Sequence, residues 1–213
     1  FLSLLGWHPG QDEEIMTMDE MIAKFEITDI HKSGAVLDPI KLDWMNGEYI
    51  KRMDIWELHT KLATYLEKYE IDFYSDIFSK KEYLYNTRII AELQGRMKRF
   101  DEFISLTTCL YGDSVVRTDL LANPKMKIET IEQAIDALRF ILPLIESTNY
   151  SSMDNLKNPI IEAIKLADRK NGQILWPLRI ALSGEEFSPW AFELAYILWK
   201  DESIRRIQRT INS

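Results

Sequence analysis

The chain has 213 residues, of which 46% are hydrophobic and 28% are charged, and its formal net charge is −8. This composition predicts a soluble globular protein with one large domain or two or three small ones, because eight glycines and seven prolines are too few for a disordered tract or a loop-rich β-sandwich. The negative charge argues mildly against a protein that coats nucleic acid without discrimination, and no apolar run approaches the roughly 20 residues that cross a bilayer.

The opening residues, FLSLLG, are typical of the last turns of a helix that ends at Gly6. A helix does not begin with its final turns, and the chain opens without an initiator methionine or the basic region of a signal peptide. We therefore expect the sequence to be a fragment of a longer protein.

Six positions farther along the chain predict helix starts. Four combine an N-cap Ser, Thr or Asp with Glu or Gln three residues later, and two place proline at the first helical position. In chain order these are Thr17 with Glu20, Asp38-Pro39, Asp54 with Glu57, Ser79 with Glu82, Thr130 with Gln133, and Ser188-Pro189. Gly112 and the pair Asn171-Gly172 predict helix ends.

The apolar residues recur with helical spacing between these positions, as in the segments 128–142 and 160–167. Alternating strand patterns flanked by hairpin turns are missing from the sequence, and no internal repeat has a fixed period. The sequence therefore predicts an all-α protein of about nine or ten helices, built from helical-bundle subdomains.

Two soft boundaries divide the predicted helices. One lies near Met53-Asp54, and the other runs from Gly112 to Lys127, a stretch that contains turn-forming residues. Neither is a flexible linker, so we expect packed subdomains at residues 1–55, 56–118 and 119–213.

Charge is distributed unevenly along the chain. Residues 11–29 carry seven acidic residues and one basic residue, whereas residues 79–100 carry six basic residues and two acidic ones. A basic segment in an acidic protein indicates either a contact surface for a negatively charged partner or an ordinary solvated helix face. The charge pattern alone leaves both interpretations open.

The sequence does not predict catalysis or metal binding by this chain. The histidines His8, His31 and His59 have no second histidine or cysteine at metal-ligand spacing, so we expect structural or exposed roles for them. The single cysteine, Cys109, excludes a disulfide framework and suits a reducing, cytosolic compartment. It lies in the apolar segment LTTCLYG, where we expect a buried, inert thiol. No glycine-rich phosphate loop follows a strand.

Two arginines stand in unusual sequence surroundings. Arg179 lies in the apolar run ILWPLRIALSG, where Pro177 predicts a nearby helix start that sets the direction of Arg179. Arg96 follows Gly95, which would weaken a helix by about 1 kcal/mol relative to alanine and would let a partner backbone come close. Each arginine could close off the core or contact something outside the protein, and Gly95 could equally be a tolerated surface glycine.

Five segments stand in one order along nearly the whole chain: FLSLLGWHPG, AVLDPIKLDWMNGEYIK, QGRMKRFDEF, WPLRIALSG and SPWAFELAYILWK. Each alone is a weak signal, but five in series are specific. Together they resemble the successive landmarks of the bacterial-type glutamate–tRNA ligases.

The resemblance implies that the chain is the C-terminal, anticodon-binding portion of such an enzyme. In this family the catalytic half is a Rossmann fold whose HIGH-type and KMSKS-type motifs bind ATP and activate glutamate, and neither motif occurs here. Residues 1–55 would be the end of the stem-contact region, and the rest would be two helical subdomains of the α-helical cage type. We therefore expect no cofactor in this chain and no activity from it alone, with ATP and magnesium confined to the catalytic half.

The implied partner is glutamate tRNA, bound at its anticodon loop and stem. We expect a cytoplasmic monomer that binds neither DNA nor membranes. The acidic net charge is compatible with tRNA binding, because a tRNA-specific protein needs positive potential only along its contact face. A helical protein-interaction scaffold, in which the arginines are structural, is the alternative. The sequence leaves open whether the parent enzyme also charges glutamine tRNA, although an arginine at position 96 favours an enzyme that charges glutamate tRNA alone.

The resemblance places a discriminating arginine at Arg96 and a second anticodon-loop contact at Arg179. Glutamate tRNAs carry an anticodon that ends in cytosine, which presents acceptors, whereas glutamine tRNAs end in guanine, which presents N–H donors. Because a guanidinium has only donors, it bonds cytosine but opposes guanine, a mismatch of roughly 1–3 kcal/mol. The positions that match the pocket for splayed bases are Ser188, Pro189, Ala191 and Phe192. Trp190 departs from the family pattern, which has a small residue there, and would either add a stacking plane or narrow the pocket.

Overall fold

The computed structural model describes residues 1–7, 14–31 and 36–213, and these contain ten α-helices. In chain order they are α1 (Met18–Lys24), α2 (Pro39–Arg52), α3 (Ile55–Tyr69), α4 (Ile71–Asp76), α5 (Tyr83–Leu93), α6 (Glu102–Tyr111), α7 (Ile131–Ser147), α8 (Met153–Leu166), α9 (Asn171–Ser183) and α10 (Ala191–Ile211). Short 3-10 helices lie at Leu2–Leu5, Ile27–Asp29, Phe78–Lys80, Thr118–Leu120 and Pro124–Met126. Strand pairing within the described residues is limited to isolated bridges, Trp7 with Ile30 and Asn123 with Ile128, so the all-α prediction is confirmed.

The N-terminal segment packs around Trp7, which is buried against Phe25 with ring centroids 5.6 Å apart. The 3-10 helix Leu2–Leu5 ends at Gly6, as predicted, but Gly6 has φ −134° and is therefore not the left-handed cap that favours glycine. His8 and residues 9–13, which include part of the acidic stretch, lie outside the described residues, as do residues 32–35.

Side-chain caps are present at four of the predicted helix starts. Thr17 and Glu20 form the full capping box of α1, because the Glu20 N–H donates to the Thr17 hydroxyl at 3.2 Å and the Thr17 N–H donates to the Glu20 carboxylate at 2.8 Å. Asp38 and Asp54 cap α2 and α3 by accepting backbone N–H groups at 2.9 Å. Thr130 caps α7 in the same way. These predicted starts are confirmed.

Two other predicted helix starts are wrong. Ser79 does not cap α5, because it lies inside the 3-10 helix Phe78–Lys80 and its hydroxyl donates to the Ser75 carbonyl at 3.2 Å. Pro189 does not begin α10, whose N-cap residue is Trp190. The hydroxyl of Ser188 instead accepts a hydrogen bond from a side chain of α9, so the Ser188-Pro189 pair belongs to the loop before the helix.

Tertiary packing also overrides two predictions in α9. The pair Asn171-Gly172 begins this helix instead of ending the one before it. A Cβ atom at position 172 would lie 3.1 Å from the sulfur of Met126, so glycine permits a close approach there. Pro177, predicted at or near a helix start, is buried in the middle of α9. An interior proline costs a helix about 3 kcal/mol, which the burial of its apolar neighbours offsets.

One continuous apolar core runs from Ile50 in α2 to Ile207 in α10. Helices α4 and α5 pack on α3, helices α7, α9 and α10 pack on one another, and α10 also contacts α5 and α6. The subdomain boundaries near residues 55 and 118 stay predictions. Cys109 is buried, as predicted, and burial raises the pKa of its thiol to about 12. No helix in the described ranges combines the length and apolarity needed to cross a membrane.

Arg206 in α10 is a buried arginine, only 2% exposed, whose hydrogen bonds connect α10 with α6 and α9. Its Nη1 donates to the carbonyls of Cys109 and Leu182 at 2.7 and 2.6 Å. Its Nη2 donates to the Gly112 carbonyl at 2.7 Å, and its Nε donates to the Glu202 carboxylate at 2.6 Å. These carbonyls lie at the C-terminal ends of α6 and α9, where helices leave acceptors unpaired and carry negative partial charge. Arg206 therefore fixes α10 against both helices.

Candidate nucleic-acid interface

A cavity of about 530 Å³ lies where α8, α9 and the start of α10 meet the C-terminal part of α5. Its walls are mainly apolar, with acidic and basic side chains among them. The lining residues are Glu92, Met126, Met153, Lys157, Ile161, Asn171, Gly172, Leu175, Trp176, Arg179, Trp190, Ala191, Phe192 and Glu193. Ligand pockets usually have this size and character. The lining includes three of the predicted site residues, Arg179, Ala191 and Phe192.

Arg179 projects from α9 into the wall of the cavity. Its Nε donates to the Ser188 hydroxyl at 3.0 Å, and its Nη2 donates to the carbonyl of Glu186. The guanidinium carbon lies 5.6 Å from the ring centroid of Trp176 and 5.7 Å from that of Trp190. Burial, followed by the positive charge of Arg96, lowers the pKa of Arg179. The guanidinium of Arg179 therefore lies within cation–π distance of two indole rings and is influenced by the charge of a second arginine.

Arg96 lies in the turn after α5, at the edge of the same site. Its Nη2 donates to Oε2 of Glu193 at 2.5 Å, and the Arg96 side chain stays 30% exposed. The same Glu193 oxygen accepts the backbone N–H of Trp190 at 2.9 Å. Burial, followed by the negative charge of Glu193, raises the pKa of Glu92 in the cavity wall. Arg96 and Arg179 are thus on one side of the molecule, around the start of α10.

Gly95 does not weaken a helix, because α5 ends at Leu93 and the glycine lies in the turn that follows. A Cβ atom at Gly95 would have no heavy atom within 4 Å, so the space beside it is open. The prediction of a helical glycine is therefore wrong. The open space leaves room for a partner next to Arg96.

The other predicted site residues differ in their access to the cavity. Ala191 and Phe192 line it but are buried, with Phe192 only 7% exposed, so they form its floor and offer no open stacking surface. Pro189 is buried in the loop before α10, and Ser188 acts through its hydrogen bond to Arg179. The structure therefore brings the predicted residues together, although their contacts with a partner stay predictions.

Sequence reasoning did not find the acidic residues Glu92 and Glu193 or the packing role of Trp176. The Nε1 of Trp176 donates to the Leu120 carbonyl at 2.9 Å, which fixes the ring beside Arg179. A signal for Glu193 was present, because an acid three residues after an N-cap position is the second half of a capping box. The incorrect helix start at Pro189 concealed it.

The two histidines that the structure describes, His31 and His59, do not line the cavity. His31 is exposed, and His59 is buried with its ring centroid 4.3 Å from that of Tyr83. Burial lowers the pKa of His59. Across the part of the chain that the structure describes, no group of His, Cys, Asp and Glu residues could hold a metal ion.

Comparison with known proteins identifies the family of this chain. The family described as "Anticodon binding domain" matches residues 57–211. The glutamate–tRNA ligases of Clostridium acetobutylicum and Clostridium novyi are each 38% identical to this chain over 98% of its length, and the match covers 41% and 42% of those proteins. The chain thus spans about two fifths of the length of these curated relatives.

Solved structures share the fold. A glutamate tRNA ligase from Elizabethkingia meningosepticum aligns over 100% of this chain and 40% of its own, with a TM-score of 0.74 and 23% identity. The glutamate–tRNA synthetase of Elizabethkingia anophelis aligns over 100% of this chain and 39% of its own, with a TM-score of 0.73 and 22% identity. At these identities the alignments establish the helical architecture. The chain belongs to the anticodon-binding domain family, and the segment of glutamate–tRNA ligases that it matches is their anticodon-binding portion.

Proposed function

We propose that this chain binds the anticodon loop of glutamate tRNA, as part of a ligase that attaches glutamate to that tRNA. The observation that supports the proposal best is a cavity lined by Arg179 and by Glu193, the ion-pair partner of Arg96. Single-stranded RNA loops are read by unstacking bases, stacking them on flat side chains and bonding their edges. This site offers a cavity, indole rings and guanidinium donors within a few ångströms of one another.

The arginines supply the base preference in this proposal. A guanidinium carries five N–H donors and no acceptor, so Arg96 keeps donors for a base although its Nη2 is bonded to Glu193. An unstacked cytosine presents its O2 and N3 acceptors to those donors. A guanine that places its N1–H and N2–H groups there opposes donor to donor. Glu193 holds the Arg96 side chain in place before the RNA arrives, which lowers the entropy cost of binding.

The remaining features of the whole enzyme are also proposals. ATP and magnesium would be bound by the catalytic part, outside this chain. The enzyme would act as a monomer in the cytoplasm, where translation takes place. Because the matching family is an anticodon-binding domain and the relatives are glutamate–tRNA ligases, the alternative of an RNA-free protein scaffold is not favoured.

Titration with RNA hairpins tests the proposal. One hairpin carries the anticodon loop of glutamate tRNA, and a second differs only by guanine in place of the last anticodon cytosine. We expect binding that weakens steeply with salt. We also expect a preference of about 5- to 150-fold for the cytosine hairpin, equivalent to the roughly 1–3 kcal/mol of an unsatisfied donor.

Variants identify the residue responsible for the preference. Arg96→Ala should remove most of the preference for the cytosine hairpin. Arg139 is an exposed arginine on α7 that does not line the cavity, so Arg139→Ala should leave the preference unchanged. Thermal melts of both variants separate RNA contact from folding. Binding by the unaltered protein that ignores both salt and the anticodon would contradict the proposal.

A further inference from the structure

Trp190 is a large aromatic side chain that stays in solvent at the mouth of the cavity. It is 65% exposed, whereas the residues on either side, Pro189 and Ala191, are buried. The lining of the cavity includes Trp190. An exposed indole in the wall of a concave site is a surface that a flat partner can cover.

Both backbone polar groups of Trp190 are hydrogen-bonded within the first turn of α10. The N–H of Trp190 donates to Glu193 at 2.9 Å, and its carbonyl accepts the N–H of Leu194 at 2.9 Å within the first turn of α10. The preceding proline has a fixed φ angle, which restricts the chain further. A side chain with two rotatable bonds on a fixed backbone loses little conformational entropy when a partner stacks on it.

A cation lies beside the ring. The guanidinium carbon of Arg179 is 5.7 Å from the centroid of Trp190, and Arg179 is itself held by Ser188 and Glu186. An aromatic plane with a guanidinium next to it matches an unstacked base, whose flat face can stack and whose edge carries hydrogen-bond acceptors. Every base has a π-face, so stacking of this kind tolerates any sequence.

We propose that Trp190 is a stacking platform for one unstacked base of the anticodon loop. It contributes affinity that is independent of the identity of that base, while the arginines read the base edge. This inference rests on the proposed function, and it assigns a role at a position where the resemblance implies a small residue.

Trp190→Ala, titrated with the cytosine and guanine hairpins, tests the platform. We expect both hairpins to bind about 5- to 100-fold more weakly, by the same factor, so that their ratio is unchanged. Trp190→Phe should recover most of the loss, because phenylalanine keeps an aromatic face. Trp56→Ala is the matched control, since Trp56 is also about half exposed but lies on α3, stacked on Tyr83 and outside the cavity.

A fluorescent base adds a structural readout. With 2-aminopurine placed in turn at each loop position, we expect the unaltered protein to quench one position strongly and Trp190→Ala to lose that quenching. Because the indole is mostly exposed, the variant should keep the melting temperature of the parent protein.

The outcomes separate the two proposals. If Trp190→Ala binds as tightly as the parent protein or more tightly while the cytosine preference persists, the platform is overturned and the proposed function stands. A changed ratio between the hairpins would overturn the sequence-independent role. If the parent protein fails to bind the hairpins, the proposed function fails and the platform fails with it.

Discussion

Arg96 and Glu193 are 97 positions apart in the sequence, and their side chains form an ion pair with 2.5 Å between Nη2 and Oε2. The pair joins the turn after α5 to the first turn of α10. The same carboxylate oxygen bonds the N–H of Trp190, so one acid organises both the arginine and the entrance to the cavity.

Removal of that acid should reduce base discrimination more than affinity. In Glu193→Ala the Arg96 side chain is no longer held, and we expect the preference for the cytosine hairpin to fall by about tenfold, or about 1.4 kcal/mol. Glu193→Gln keeps an oxygen acceptor and should retain most of the preference. Hairpin titrations of the two variants provide the measurement. An unchanged preference in Glu193→Ala would show that Arg96 needs no positioning.

Replacement of the buried Arg206 should strongly destabilise the fold. Arg206→Met leaves the carbonyls of Cys109, Leu182 and Gly112 without their donor, and we expect a loss of about 3–5 kcal/mol in the free energy of unfolding. Urea denaturation measures the effect.

The neighbouring Arg205 provides a matched control. Its side chain is 46% exposed and pairs with Glu202 and Asp113, so Arg205→Met should cost less than about 1 kcal/mol. Equal losses in the two variants would mean that the buried hydrogen bonds of Arg206 are not what stabilises this region.

Acid should lower the free energy of unfolding, because Glu202 becomes protonated as the pH falls. Hydrogen bonds from Arg205 first, and then from Arg206, lower the pKa of Glu202 from its ordinary value of 4.5 to about 2. Because the folded-state pKa is the lower one, the stabilisation is fully present above pH 4.5 and is lost as the pH falls toward 2. The carboxylate is partly exposed, so with solvent screening we expect at most about 2 kcal/mol.

The variant Glu202→Gln isolates this contribution. Urea denaturation at several pH values between 7 and 2.5 should show the difference in stability between the two proteins shrinking only below about pH 4.5. A difference that stays constant over the whole range would rule out Glu202 as the titrating group.

Gly184 should tolerate no side chain. Its φ is +72°, a left-handed conformation, and a Cβ atom there would overlap the carbonyl oxygen of Val115. We expect Gly184→Ala to lower the free energy of unfolding by about 2 kcal/mol or more and to weaken RNA binding, because the loop that carries Ser188 begins there. Gly112→Ala, where the added methyl group meets open space, should change little in the same assays.

The sequence by itself determined the helical class and several helix starts. The caps at Thr17, Asp38, Asp54 and Thr130 depend on bonds between residues two or three positions apart, and such bonds form wherever the local chain becomes helical. The series of five landmark segments likewise indicated the family without a structure.

Only the tertiary structure decided the rest. Pro177 lies inside a helix because burial of its neighbours outweighs its local preference, and Gly172 begins that helix because Met126 packs against it. The ion pair of Arg96 with Glu193 and the hydrogen bond from Arg206 to the Cys109 carbonyl each join residues 97 positions apart. Such contacts form only when the folded chain removes these groups from water and brings them together, so no local sequence pattern predicts them.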